Sequence, residues 1–398
     1  MYTFWRFAWE LRLTAFSVSG AKPFDKEWKF LCACVSPPVG SAQAAPPGEL
    51  DWDATLDLAV VHGVPNLLAA RLKDAGFFGV PAAVRERLQN IVRASHLFTL
   101  GLTAELLRIL EEFQRERIEV IPVKGPVVSL LAYGNPGMRH YADLDLVVRH
   151  KDILAAAHLM GKLQFETKVP ESAIRAGKIP GEYQFGRPGT QQIVELHTEN
   201  TLRYYPKPMR IAEMFTRQRR LLLEGKEIPA FSLEDEFVFD CIHGTKDFWE
   251  RLMWVADIAA MVTRHPELDW AAVRQAAKDV GAERMVHVAL LLAESLLGTP
   301  VPLSMAEETH NDAKARSLVR QIERWIPSAG YAPPSLKQRA MFRLQAGGGG
   351  FAGAAFLLRL SLSPTEEDWG ATSGKRSSAL WDAAKRPFRL IRKYGQDG

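Results

Sequence analysis

Cysteine is scarce in this chain of 398 residues, which contains three: Cys32, Cys34 and Cys241. Cys32 and Cys34 are too close in sequence for an easy disulfide. No group of cysteines and histidines has the spacing of a zinc site. These absences argue against a disulfide-stabilised or zinc-stabilised fold, and they predict free, buried thiols in a reducing compartment.

The chain also lacks a strong excess of charge and a long hydrophobic run. The net charge of +4 does not by itself indicate a nucleic-acid coat or a membrane binder. The longest weakly polar stretch, AGGGGFAGAAFLL, is shorter than the ~20 residues that span a bilayer. Arg6, Glu10 and Arg12 interrupt any signal-peptide core near the N-terminus. We therefore expect a cytoplasmic protein without a membrane span.

Several common catalytic motifs are missing as well. The sequence has no G-x-x-x-x-G-K-[ST], no G-x-G-x-x-G after a strand, no H-E-x-x-H and no G-x-S-x-G. What remains is an ordinary globular composition, 47% hydrophobic and 24% charged, in a chain long enough for about two or three packed units.

Hydrophobic periodicity divides the chain into five segments. Residues 50–115 and 231–345 have helical spacing, whereas 116–230 reads as strand, helix, strand, helix and a hairpin of two strands. Residues 1–49 read as an irregular lead-in and linker, and 346–398 as a Gly-rich and then basic tail. We predict an α+β fold in which N- and C-terminal helical units flank a small mixed sheet.

Two acids, Asp143 and Asp145, interrupt the apolar run ADLDLVV. Residues i and i+2 of a strand point to the same face, so the two carboxylates would repel each other. A divalent cation removes that penalty, and oxygen ligands beside substrate phosphates are typical of Mg²⁺. The alternative from the spacing alone is an edge strand with one solvated face.

The preceding turn offers a place for phosphate. Gly125 stands where a strand ends and a helix begins, and free N–H groups at a helix start bind phosphate. Lys124 adds a positive charge beside it. The alternatives are a solvated lysine and an ordinary turn.

The later strand TQQIVELHTEN contains a third acid, Glu195, and a histidine, His197. Glu195 could reach the face of the paired aspartates or lie on the solvated side of its strand. His197 could orient a metal ligand or be partly exposed.

These residues resemble the nucleotidyltransferase superfold, which includes DNA polymerase β-type enzymes. The more specific resemblance is to an uncharacterised bacterial nucleotidyltransferase family, and it spans roughly 50–395. The residues that carry it are Lys124, Gly125, Tyr133, Arg139, Asp143, Asp145 and the Glu195-Leu196-His197 run. Two departures from the superfold are Pro126 after the glycine, which cannot donate an N–H, and a glutamate as third acid.

The resemblance implies a nucleotidyltransferase core and a Mg²⁺-dependent transfer of an NMP from an NTP, such as ATP, to an acceptor hydroxyl. Asp143, Asp145 and Glu195 would be the catalytic acids and metal ligands, with a second Mg²⁺ activating the acceptor. Gly125 would hold phosphates, with Lys124 or Arg139 offsetting charge on pyrophosphate, and His197 would lie beside the acids. The alternative for Arg139 is a salt bridge to one of the two aspartates.

Two further regions are weaker candidates. The helix expected over 236–262 has a polar stripe that includes His243 and Asp257, which could close over a nucleotide or simply be solvated and packed. The tail ALWDAAKRPFRLIRKYG mixes basic and aromatic residues, which could grip RNA or a membrane or pack on the body.

Three hypotheses follow from the sequence. The first is an enzyme that acts on a small molecule, protein or RNA, and the second is a toxin or modifying enzyme that shares its chemistry. The third is a catalytically inactive nucleotide-binding or protein-interaction scaffold with the same fold.

Overall fold

The chain is described by a computed structural model that covers residues 25–37, 50–175, 182–198, 207, 210–330 and 334–347. The basic tail lies outside these residues. None of the described helices is long and apolar enough to cross a lipid bilayer.

Four helices form the N-terminal helical unit: α1 (Asp25–Val35), α2 (Trp52–Val61), α3 (Pro65–Asp74) and α4 (Ala82–Arg115). The prediction that residues 1–49 are irregular is wrong for α1. Its run WKFLCACV buries apolar side chains against α2 and α3, so tertiary packing stabilises a helix of only 11 residues. The Gly63-Val64-Pro65 break between α2 and α3 lies where the sequence predicted it.

The central part contains a mixed sheet of four strands with short helices. The elements are β1 (Val120–Val123), α5 (Gly125–Tyr133), β2 (Leu144–Val148), a 3-10 turn (His150–Asp152), α6 (Ile153–Lys162), α7 (Glu171–Arg175), β3 (Glu182–Gly186) and β4 (Ile193–His197). The strand order is β1-β2-β4-β3, in which β2 and β4 are parallel and both outer pairs are antiparallel. The predicted hairpin around Pro188-Gly189 is confirmed.

The register of β2 and β4 decides which side chains meet. Asp145 lies directly opposite Glu195, and Leu146 lies opposite Leu196. Because side chains alternate along a strand, the two acids share one face while the leucines pack on the other. The parallel crossover therefore brings together two acids that are 50 positions apart in sequence.

A second, two-stranded sheet was not predicted. After α8 (Ile211–Thr216), β5 (Arg219–Leu223) and β6 (Lys226–Ala230) pair as an antiparallel hairpin. The turn between them is Glu224-Gly225, and both residues have positive φ, 49° and 79°. Such a two-residue turn matches the twist of a hairpin, so Glu-Gly between two apolar runs was the available signal.

The remaining helices form the C-terminal helical unit. They are α9 (Leu233–Lys246), α10 (Leu252–Arg264), α11 (Trp270–Val280), α12 (Glu283–Leu297), α13 (Leu303–Asn311), α14 (Ala313–Trp325) and α15 (Leu336–Ala346), with a 3-10 turn at Ile326–Ser328. The single helix expected over 236–262 is wrong, because Phe248 and Trp249 have positive φ and separate α9 from α10. The buried Trp249 ring packs on Gly244, where a Cβ atom would lie 2.6 Å from it.

The α+β class with a small mixed sheet flanked by helices is confirmed. The exact boundaries of the folding units stay a prediction.

Candidate active site

The turn between β1 and α5 places a lysine and a helix start at the edge of the acidic face. Lys124 has the backbone conformation φ 55°, ψ −146°, which residues other than glycine rarely adopt. Gly125 follows with φ 37° and begins α5, where its missing side chain permits the turn. Lys124 is buried, so the alternative of a solvated lysine is wrong.

Asp145 is the centre of a buried charged group. Lys124 Nζ donates to Asp145 Oδ1 at 2.6 Å, and His197 Nε2 lies 2.9 Å from the same oxygen. Burial alone would raise the pKa of Asp145, but the charge of Lys124 and the hydrogen bond from His197 lower it well below its ordinary value. Asp145 is therefore held as a carboxylate, and because a carboxylate only accepts, His197 donates from Nε2.

Glu195 lies on the open side of this group. Its Oε2 is 3.8 Å from His197 Nε2, and Gln184 Nε2 is 3.4 Å from its Oε1. The Glu195 side chain is 16% exposed, whereas that of His197 is 1% exposed. Glu195 therefore lies on the same face as Asp145, which is the first of the two positions that the sequence allowed. His197 is buried, so the alternative of a partly exposed histidine is wrong. We call Lys124, Asp145, Glu195 and His197 the sheet cluster.

Asp143 lies one residue before β2, so it does not share the strand as predicted. The charge of Asp145 nevertheless affects the pKa of Asp143. Burial raises the pKa of Asp143, and the charge of Asp145 raises it further, against the opposing effect of Lys124. The upward direction of this pKa shift is the one that repulsion between the two acids would produce.

The sheet cluster fits a divalent cation. One ligand atom from each of Asp145, Glu195 and His197 can be chosen so that all lie within 4.8 Å of one another. The two carboxylates suit a hard cation, whereas imidazole suits transition metals better. Because His197 Nε2 already donates to Asp145, the carboxylates would be the ligands and His197 would orient one of them.

Arg139 lies elsewhere. Its Nε donates to Asp257 Oδ2 on α10 at 2.8 Å, and Tyr133 donates to Asp257 Oδ1 at the same distance. The alternative of a salt bridge to Asp143 or Asp145 is therefore not found. Burial raises the pKa of Asp257 despite the opposing charge of Arg139. We call Tyr133, Arg139 and Asp257 the interhelical cluster.

Helix α9 presents polar groups that the sequence analysis did not single out. Glu236 Oε1 accepts from the backbone N–H of Lys124 at 3.1 Å, and Asp240 is buried one turn further along. Burial raises the pKa of Glu236 to about 8. His243, a weak candidate from the sequence, is buried with its ring edge-on to Trp254 at 5.3 Å. Acids at i and i+4 inside the apolar run EFVFDCI were the available signal.

A small mixed sheet whose opposed acids stand beside a lysine and a glycine-led helix is typical of the nucleotidyltransferase class. The chain belongs to the family described as "Uncharacterised nucleotidyltransferase", whose model matches residues 48–298, more than half of the chain. The predicted resemblance is confirmed, although the match ends well before residue 395. The chain is thus a transferase of this class, and the match includes both clusters.

One solved structure that matches is a crystal structure of an antigenic nucleotidyltransferase-like protein from Paracoccidioides brasiliensis. It is 17% identical, the match covers 54% of this chain and 98% of that chain, and the TM-score is 0.30. No curated protein matches the sequence.

Proposed function

We propose that the protein transfers an NMP from an NTP to an acceptor hydroxyl at the sheet cluster. The observation that carries this proposal is the direct opposition of Asp145 and Glu195 on one sheet face, next to Lys124. Two carboxylates against one ammonium leave the cluster acidic, which favours a divalent cation there.

Asp145 and Glu195, with Asp143 beside them, are the proposed ligands of this cation, which we take to be Mg²⁺. When bound, the cation supplies positive charge against the phosphates. The start of α5 at Gly125 would bind phosphate through backbone N–H groups, except at Pro126. Arg139 is buried against Asp257, so we assign it to holding the loop before β2 and not to contacting pyrophosphate.

The chemical step follows from the class. The acceptor oxygen attacks the α-phosphorus and forms the new P–O bond. The bond from the α-phosphorus to its bridging oxygen breaks, and the electron pair leaves with pyrophosphate. Glu195, the more exposed acid, would accept the hydroxyl proton or share in holding the cation.

The test is pyrophosphate release from each labelled NTP with Mg²⁺ and a broad set of acceptor hydroxyls, beginning with ATP. We expect release by the wild type and loss in Asp145→Asn and Glu195→Gln. Asp53→Asn, an exposed acid paired with Arg87, is the matched control and should retain activity. Release that survives in Asp145→Asn would contradict the proposal.

One observation favours a second candidate, a nucleotide-binding scaffold without turnover. Lys124 and His197 both contact the same oxygen of Asp145, so the protein itself supplies hydrogen bonds and positive charge to that carboxylate without a cation. Tight NTP binding with no pyrophosphate release from any acceptor would support this candidate over the enzyme.

A further inference from the structure

We propose that Glu236, on helix α9, is a positioning residue for the sheet cluster. It holds the backbone of Lys124 in an unfavourable conformation and thereby determines where the Lys124 ammonium and the start of α5 lie. Glu236 would contact neither substrate nor cation, since its role is exerted through Lys124. The activity readout of this inference rests on the proposed function.

The strain at Lys124 is the first observation. A φ of 55° with ψ of −146° belongs to a region occupied almost entirely by glycine. Such a conformation persists only when surrounding contacts enforce it, and it occurs mostly at functional sites. Something must therefore hold this peptide in place.

Contacts at three points of Lys124 provide that restraint. Its backbone N–H donates to Glu236 Oε1 at 3.1 Å, and its carbonyl accepts from the backbone N–H of Val128 in α5 at 3.1 Å. Its Nζ donates to Asp145 at 2.6 Å. The Val128 contact belongs to the helix itself and the Asp145 contact to the site. Among the described hydrogen bonds of Lys124, the one to Glu236 therefore links the strained peptide to the C-terminal helical unit.

Glu236 has no comparable second task among the described residues. Its side chain is fully buried, and its other oxygen, Oε2, has no hydrogen-bond partner there. Burying an acid is costly unless its hydrogen bonds compensate. The one bond found, to a backbone N–H 112 positions away in sequence, is directed at the residue that contacts Asp145. This argues that the acid is placed for Lys124 and not for the packing of α9.

Two Glu236 variants of similar size distinguish the loss of the hydrogen-bond acceptor from a change in side-chain volume. Glu236→Gln keeps an oxygen that can accept from the Lys124 N–H, whereas Glu236→Met fills the space without one. Asp240→Asn is the matched control, one turn along the same helix, buried, and without a hydrogen bond to Lys124. We expect a fall in kcat of roughly 100-fold for Glu236→Met, because small misplacements of site groups have effects of this size. Glu236→Gln and Asp240→Asn should stay within about threefold.

A readout without turnover is hydrogen–deuterium exchange of the peptide 121–128. We expect faster exchange there in Glu236→Met, and unchanged exchange in Glu236→Gln and Asp240→Asn. In a Lys124→Gly background, which removes both the ammonium and the backbone strain, Glu236→Met should lower kcat by no more than about threefold, since glycine adopts this conformation without a restraint. Equal losses in both backgrounds would indicate a merely structural role and overturn the inference.

The exchange measurement separates this inference from the proposed function. If the wild type releases no pyrophosphate, the proposed function fails, yet faster exchange at 121–128 in Glu236→Met still supports Glu236. If exchange at 121–128 is unchanged in Glu236→Met, the inference is overturned whether or not the protein is active. Should Glu236→Met fail to fold, Glu236→Asp, whose carboxylate is one methylene further back, takes its place with the same expected and contrary results.

Discussion

The sheet cluster and the interhelical cluster each bury an aspartate against a cation, but the two aspartates are held in opposite ways. In the sheet cluster, Lys124 and His197 lower the pKa of Asp145. In the interhelical cluster, burial outweighs Arg139 and raises the pKa of Asp257. A buried ion pair by itself therefore does not indicate a site of chemistry.

Charge balance and access distinguish the two clusters more clearly. Asp257 faces a single cation, and the charges of the pair cancel in a region where its side chain is 3% exposed. Asp145 and Glu195 face one ammonium, and Glu195 is partly open to solvent. The sheet cluster has more negative than positive charge and is partly open to solvent, which favours binding of a cationic ligand. The interhelical cluster is charge-balanced and buried, which favours a structural role in connecting α5, the loop before β2, and α10.

The largest expected effect breaks the sheet cluster alone. Asp145→Asn keeps the shape of the side chain but removes the charge, so pyrophosphate release should fall by ~10³-fold or more, as expected when several kcal/mol of charge stabilisation is lost. Tyr133→Phe in the interhelical cluster should leave the rate per folded molecule unchanged. Equal rate losses in the two variants would show that the clusters do not differ in function.

The next effect breaks the interhelical cluster. Asp257→Leu leaves the Arg139 guanidinium buried without its partner, so the free energy of unfolding should fall by about 3–5 kcal/mol in urea denaturation. The double variant Arg139→Met/Asp257→Leu removes both charges and should recover most of that loss. If the double variant loses as much free energy of unfolding as Asp257→Leu and Arg139→Met lose in sum, the pair is not coupled as described.

How far the sequence alone predicts this arrangement depends on the distance over which residues act. Asp145, Lys124 and Gly125 lie within one strand–helix–strand unit, so their spacing predicted a shared site. Strand alternation predicts the face on which Glu195 lies, but the sequence does not specify its register against β2. The pairing of Arg139 with Asp257 joins residues 118 positions apart, and no local pattern specifies that partner.

The misses have physical causes that act over short and long range. The break between α9 and α10 depends on Phe248 and Trp249 in left-handed conformations, which neither residue type favours. The bulky Trp249 is accommodated because Gly244 leaves room for its ring, a fit visible only in three dimensions. The role of Glu236 depends on a backbone N–H, which carries no sequence signal at all.

A pH experiment sharpens the link between helix α9 and the sheet cluster. Burial raises the pKa of Glu236 to about 8; the hydrogen bond and charge of Lys124 oppose this shift, and the charges of Asp235 and Asp145 reinforce it. The pKa of glutamate in an unfolded chain is about 4.3. Between these values the unfolded chain has lost a proton that the folded chain keeps, so stability falls as pH rises from about 4 to 8.

Glu236→Gln removes this titration. We expect wild type to lose stability relative to Glu236→Gln by up to about 1.4 kcal/mol per pH unit between pH 5 and 8. Urea denaturation of both proteins at each pH measures the difference, with Asp53→Asn as the exposed control. A difference that does not change with pH would mean that Glu236 is ionised in the folded protein throughout this range.

The smallest expected effect lies at the exposed edge of the sheet cluster. Gln184 Nε2 is 3.4 Å from Glu195 Oε1, near the outer limit of a hydrogen bond, so the contact is weak. Gln184→Ala should change pyrophosphate release by only about two- to threefold, corresponding to about 0.5 kcal/mol. Gln184 lies opposite Glu195 in the strand register, and its removal would leave the contacts of Lys124 and His197 with Asp145 in place. A loss as large as that of Asp145→Asn would mean that Glu195 depends on Gln184 for its position, and that the exposed edge is as tightly specified as the buried centre.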